Sequence, residues 1–181
     1  MYHEMKIAGL TRQLPLCPVT DTLYIGAFVI FGDVELTVRT AEALLKMAPE
    51  HDVIITAESK GIPLAYEMAR QEGGKRYIIA RKAAKLYMKD VMSIEVKSIT
   101  TARQQTLFLD GDDAEFMRGR RVLIVDDVIS TGESLAAIET LVNKAGGNIV
   151  GRMAVLAEGD AQERKDILYL EKLPLFNPDG T

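Results

Sequence analysis

The chain has 181 residues, 48% hydrophobic and 27% charged, which fits one compact domain and excludes a disordered, collagen-like or coiled-coil protein. A formal charge of −4, from 22 basic and 26 acidic residues, argues against general nucleic-acid binding. The longest apolar run, residues 23–32, is about half of the roughly 18–20 residues a membrane helix needs, and the N-terminus has no signal or transit pattern, so the expected address is the cytoplasm and no membrane partner is expected.

In chain order, residues 23–31 form a β-rich run that reads as one strand. Asp33 then reads as a helix N-cap, with Val34, Val38, Ala41, Leu44 and Leu45 at helical spacing until Pro49. Cys17 is the single cysteine and His3 and His51 the only histidines, so neither an internal disulfide nor a soft-ligand zinc site is expected. Residues 53–56 read as a short buried strand, 62–70 as a helix ending near Gly73-Gly74, and 77–80 as the next strand. Periodicity lapses from Arg81 to about Tyr87, after which residues 91–99 and 105–109 read as a β-hairpin arm. Residues 121–125, R-V-L-I-V, lack a polar break inside the run and predict a central strand. A helix over 132–145 closed by Gly146-Gly147, a strand over 149–156 and a tail with one short strand complete the pattern. Alternating strands and helices predict an α/β fold with a mainly parallel central sheet flanked by helices. No linker or repeat divides it, so a single domain over 1–181 is expected.

Two stretches carry chemistry. Between Lys75 and Arg103 there are eight basic residues against Asp90 and Glu95, a local surplus that reads either as a solvated loop or as a site for a small polyanion. The other stretch is V-L-I-V-D-D-V-I-S-T-G-E-S, residues 122–134. A hydrophobic strand there delivers Asp126 and Asp127 at its C-terminal end, where open α/β sheets place ligands. Ser130, Thr131, Gly132, Glu133 and Ser134 then supply N–H groups and hydroxyls at the positive end of a helix, a setting for a phosphate dianion. Ser130-x-x-Glu133 also reads as a capping box, which would need no ligand. A capping box leaves the adjacent carboxylates unexplained, because like charges side by side repel unless satisfied. The pair reads as a clamp for ribose hydroxyls, with the 5-phosphate in the loop.

The stretch 122–134 resembles the phosphoribosyl-pyrophosphate motif of the type I phosphoribosyltransferases. Glu58-Ser59-Lys60-Gly61 resembles that family's pyrophosphate loop, and Arg81-Lys82-Ala83-Ala84-Lys85-Leu86 resembles the R-K-x-x-K-L start of the mobile loop in adenine-type members. The resemblance implies a small N-terminal hood over about 1–32 plus the C-terminal tail, and a mobile arm over about 81–106. It implies catalytic roles for Asp126, Asp127 and Lys85, with pyrophosphate held by Ser59, Lys60, Gly61, Arg81, Lys82 and Lys85. It also implies a base pocket lined by Val128 and Ile129, magnesium carried on the substrate with no direct protein ligand, and a homodimer to which residues 23–31 contribute. The implied substrates are phosphoribosyl pyrophosphate and a nucleobase, adenine first. Ser130 stands where the hypoxanthine-guanine members carry Asp. Two features depart from adenine-type members: Glu133 replaces a second glycine, and residues 98–101 replace an aromatic-acidic stretch with a catalytic Glu. A xanthine or orotate enzyme and a non-catalytic phosphoribosyl-pyrophosphate-binding regulator are the alternatives.

Overall fold

The first 18 residues form a hairpin, β1 (Tyr2–Ile7) with β2 (Leu10–Pro18), antiparallel from Tyr2↔Pro15 to Ile7↔Leu10 and turning through Ala8-Gly9, both at positive φ. These details come from a computed structural model, which describes residues 1–97 and 104–181. β3 (Tyr24–Gly26) pairs with β2 and is far shorter than the expected strand over 23–31. Ala27 N–H still donates to Pro15 O at 2.8 Å, and the chain then leaves the sheet. Phe28 and Ile30 turn into the core while Val29 and Phe31 face out.

α1 (Val34–Leu45) starts where expected, with Asp33 accepting the Leu36 N–H at 3.0 Å, a cap worth about 1 kcal/mol. Its buried face is carried by Leu36, Thr40, Ala41 and Leu44, so Val34, expected inward, points to solvent. β4 (Val53–Ala57), α2 (Ile62–Gln71) and β5 (Tyr77–Ala80) follow the expected order. β6 (Met92–Lys97) and β7 (Gln104–Leu109) make the antiparallel arm, and its root is packed: Ile94, Leu107 and Leu109 are buried, and Lys144 donates to Ser93 O at 2.9 Å. α3 (Gly111–Met117), capped by Asp110, was not foreshadowed by periodicity. β8 (Arg121–Ile129), α4 (Glu133–Ala145), β9 (Asn148–Glu158), a short 3₁₀ turn (Gly159–Glu163), β10 (Leu168–Leu173) and β11 (Leu175–Phe176) complete the chain. The tail thus supplies two strands, β10 to the main sheet and β11 to the hood beside β3.

The main sheet is parallel throughout, in the order β10-β9-β8-β4-β5. Alternation along β4 and β8 serves both faces. Val53, Ile55, Val122 and Ile124 join the apolar layer under α3, α4 and the arm, whereas Ile54, Leu123 and Val125 join the layer under α1, α2 and the hood. From β4 the chain crosses first to β5 on one side and later to β8 on the other, so the C-terminal ends of β4 and β8 flank the switch point at which such sheets bind ligands. Among the described residues no helix is long and apolar enough to cross a membrane.

Candidate active site

The loops that leave β4 and β8 meet at that switch point. The first runs through a cis Glu58–Ser59 peptide to Gly61, the N-cap of α2. Gly61 has an ordinary φ of −72°, so it is required for space: a Cβ there would stand 2.1 Å from Thr56 Oγ1 and 3.4 Å from Asp126 Oδ1. This close approach aims Lys60 across the crevice. Its Nζ lies 2.7 Å from Asp127 Oδ2 and donates to Phe28 O at 3.3 Å, joining the β4 loop, the end of β8 and the hood.

Asp127 is only 3% exposed, and among the described residues its Oδ2 has the Lys60 ion pair but no aligned hydrogen bond. Asp126 Oδ1 accepts the Asp127 N–H at 2.8 Å. Burial, and then the charge of Asp127, push the Asp126 carboxyl up to about 8, against a smaller opposing pull from Lys60. At neutral pH the pair therefore presents one protonated carboxyl beside the residue that Lys60 holds, giving both a donor and acceptors to vicinal hydroxyls.

The capping-box alternative is not met at the helix start. The N-cap of α4 is Gly132, at φ +80°, with no side-chain cap, so Glu133 is the first helical residue and Ser130 lies two positions before the cap. Glu133 N–H donates to Thr131 Oγ1 at 3.4 Å. A helix start whose N–H groups lack a side-chain cap is suited to an anion.

A cavity of about 220 Å³ lies between the loops, and Ser59, Lys60, Lys82, Asp126, Asp127, Val128 and Ser134 all line it. Ser130, Thr131, Gly132 and Glu133 continue from this lining into the turn before α4. Other expected residues fall elsewhere. Ile129, expected beside the base, is 3% exposed and buried in the apolar layer with Leu135 and Ala157, because alternation along β8 sends it to the opposite side from Val128. Arg81 lines a different cavity, with Tyr77, Tyr87 and Asp110. Its backbone exchanges two 2.8 Å hydrogen bonds with Phe108, its Nη1 donates to Tyr87 Oη at 2.8 Å, and its Nε pairs with Glu58 at 3.2 Å. Lys85 is half-buried, its N–H is directed at Met88 Sδ, and it does not line the 220 Å³ cavity. Residues 98–101 and Arg103 lie outside the described residues.

Three contributors were not foreseen. Glu58 accepts the Lys82 N–H at 2.9 Å, and that bond, with Arg81 behind it, holds the Glu58 carboxyl below its usual range. Leu107 reaches the cavity from the arm. Thr56, the one polar residue of the V-I-I-T run, sits under Gly61, and its polarity inside a buried strand was the available signal.

Residues 37–173 match the family described as Phosphoribosyl transferase domain. Adenine phosphoribosyltransferase of Bifidobacterium longum is 31% identical over 149 residues, 80% of this chain and 74% of that protein. Hypoxanthine/guanine phosphoribosyltransferase of Methanothermococcus okinawensis is 34% identical over 150 residues, 79% of this chain and 78% of its own. Among solved structures, adenine phosphoribosyltransferase from Thermoanaerobacter pseudethanolicus superposes with a TM-score of 0.73 over 88% of this chain and 95% of that one, and at 22% identity this speaks for the fold alone. The Rhodothermus marinus adenine phosphoribosyltransferase, 28% identical, gives 0.66 over 80% and 83%.

Proposed function

Because the chain belongs to the phosphoribosyl transferase family and shares its fold, we propose that this phosphoribosyltransferase joins adenine to phosphoribosyl pyrophosphate, giving AMP and pyrophosphate. The observation that carries the proposal is the meeting of Asp126-Asp127 with Lys60 and Ser134 across one cavity at the switch point of the sheet.

In this reading a ring nitrogen of the base attacks C1 of the ribose. The C1–O bond breaks with its electron pair leaving on pyrophosphate, and the nitrogen releases its proton. Catalysis of such a displacement rests on positioning and on stabilising charge that builds on the leaving group. Asp126 and Asp127 hold the ribose hydroxyls, and the turn Ser130–Ser134 holds the 5-phosphate. Lys60 exchanges Asp127 for the pyrophosphate, which Ser59, Gly61 and Lys82 also face. Lys85 and Arg81 reach the leaving group only by a movement of the segment that begins at Arg81. Val128 offers the base an apolar wall.

The residues present fit a magnesium ion that arrives with its substrate: Asp126 and Asp127 face the cavity where the ribose hydroxyls would lie, and such an ion keeps substrate oxygens and waters as most of its ligands. Bound to the substrate, it would neutralise charge on the pyrophosphate. Exposed Val29, Phe31 and Val34 support the expected homodimer, for which sedimentation should give twice the chain mass.

The test of substrate is a panel of adenine, hypoxanthine, guanine, xanthine, orotate and uracil with phosphoribosyl pyrophosphate and magnesium, following nucleotide and pyrophosphate together. AMP from adenine alone is expected. The second reading, a hypoxanthine or guanine enzyme, draws on the 34% identical relative and predicts IMP or GMP instead. Release of pyrophosphate with no base would overturn both.

A further inference from the structure

The turn before α4 faces a charge problem. Ser130, Thr131, Gly132 and Ser134 offer neutral donors, and Glu133 brings a carboxylate. A phosphate monoester brings about −1.5 to −2 near neutral pH, against roughly +0.5 from the helix end.

Arg164, which follows the 3₁₀ turn Gly159–Glu163, lies against this turn. Its Nη1 is 2.7 Å from where a Cβ of Gly132 would stand, so the guanidinium rests on the backbone of the helix N-cap. Asp166 grips the far edge, accepting from Nε at 2.9 Å and from Nη2 at 2.7 Å. That fork leaves Nη1, the atom over Gly132, with no hydrogen-bond acceptor among the described residues. Arg164 holds the Asp166 carboxyl down at about 2, so the fork persists through the neutral range. Gly132 is required for its positive φ, and the guanidinium takes up the room beside it.

We propose that Arg164, oriented by Asp166, is a positioning residue for the sugar 5-phosphate: it offers the Nη1 donor of a charged guanidinium beside a turn whose own donors are neutral, and packs against Gly132. The proposal rests on the reading of residues 130–134 as the phosphate subsite. It selects for ligands that carry a phosphate monoester on the sugar over the same sugar without one.

The probes are ribose 5-phosphate and inorganic pyrophosphate, titrated separately by calorimetry into the full chain. In Arg164→Gln, ribose 5-phosphate affinity should fall about tenfold and pyrophosphate affinity less than twofold, with KM for phosphoribosyl pyrophosphate rising about tenfold and kcat changing less than twofold. Arg164→Lys should recover part of the loss, and Asp166→Asn should cost about threefold. Wild-type affinity for ribose 5-phosphate in a folded Arg164→Gln overturns the proposal, as does an equal loss of both ligands. Should Arg164→Gln not fold, Arg164→Lys and Asp166→Asn decide by the same comparison of ligands. Failure of the unaltered protein to bind ribose 5-phosphate removes the subsite reading together with the proposal, whereas loss confined to the variants cannot come from that source.

Discussion

On one side of the cavity, Asp126 and Asp127 come off a nine-residue strand with parallel neighbours on both sides; on the other, Lys82 follows Arg81, whose backbone is held by an isolated bridge to Phe108. The carboxylates have little freedom and a strongly perturbed environment. The basic segment has charge in surplus, yet much of it is committed locally: Lys75 to Glu72 at 2.9 Å, Arg76 to Asp113 at 2.5 Å, and Arg81 to Glu58 at 3.2 Å. A sheet end converts sequence into fixed geometry, whereas a charged loop fixes only an amount of charge. The acidic side should therefore fail sharply when altered, and the basic side by degrees.

The largest expected effect is on the acidic side. Asp126→Asn with Asp127→Asn should lower turnover by at least about 10³-fold, roughly 4 kcal/mol in the barrier, while circular dichroism stays native. Activity within tenfold of wild type would erase the contrast between the two sides. Next comes Gly61→Ala, expected to cost about 10²-fold in kcat/KM, because its methyl group must displace Thr56 Oγ1 and with it the turn that aims Lys60. Adding Thr56→Ala should restore at least about tenfold; a failure to do so would show that the crowding lies elsewhere.

The elevated Asp126 sets a pH signature. Its folded-state value, about 8, lies above the ordinary 3.8, so the native state binds the extra proton between those limits. Stability contributed by that proton is complete below about pH 4 and is lost as pH rises through 8, at a slope of up to about 1.4 kcal/mol per unit. Urea unfolding at pH 5 and pH 8 should show the native protein losing about 2–4 kcal/mol more than Asp126→Asn across that span. Parallel losses would mean that Asp126 titrates normally.

Lys60→Ala should weaken pyrophosphate inhibition about tenfold and AMP binding less than threefold, read from product-inhibition constants. Solvent moderates the loss of its ion pair, since the Lys60 side chain is 43% exposed. Equal weakening of both products would make Lys60 a brace between Asp127 and Phe28 rather than a ligand for the leaving group.

Legibility in the sequence followed the same division. R-V-L-I-V-D-D was readable because a short, β-branched apolar run that ends on polar residues suits a buried parallel strand, and Gly132 and Gly146 were readable as punctuation, both now at positive φ. The hood hairpin was not, because β1 carries charged and polar residues on its open face and its apolar positions, Met5 and Ile7, are too few to mark a period. α3 has seven residues, less than two full turns, so only its Asp110 cap was a signal. The tail was readable as strand but its partners were not, since pairing β10 with β9 and β11 with β3 is a matter of chain path. In the site, Val128 and Ile129 look alike as letters and part company only once the direction of β8 is known.

Arg81 gives the smallest effect and the finest test of the contrast. By residue type and position it reads as a pyrophosphate ligand, yet its backbone is bonded twice to Phe108 and its guanidinium is shared between Tyr87 and Glu58, facing another cavity. Glu58 also accepts the Lys82 N–H, so Arg81 acts on the active site chiefly through that shared carboxylate. Arg81→Ala should therefore change pyrophosphate affinity less than threefold, and Lys82→Ala more than Arg81→Ala. A tenfold loss in Arg81→Ala would mean that the segment turns over during the reaction and brings Arg81 to the leaving group, making the basic side as exacting as the acidic one.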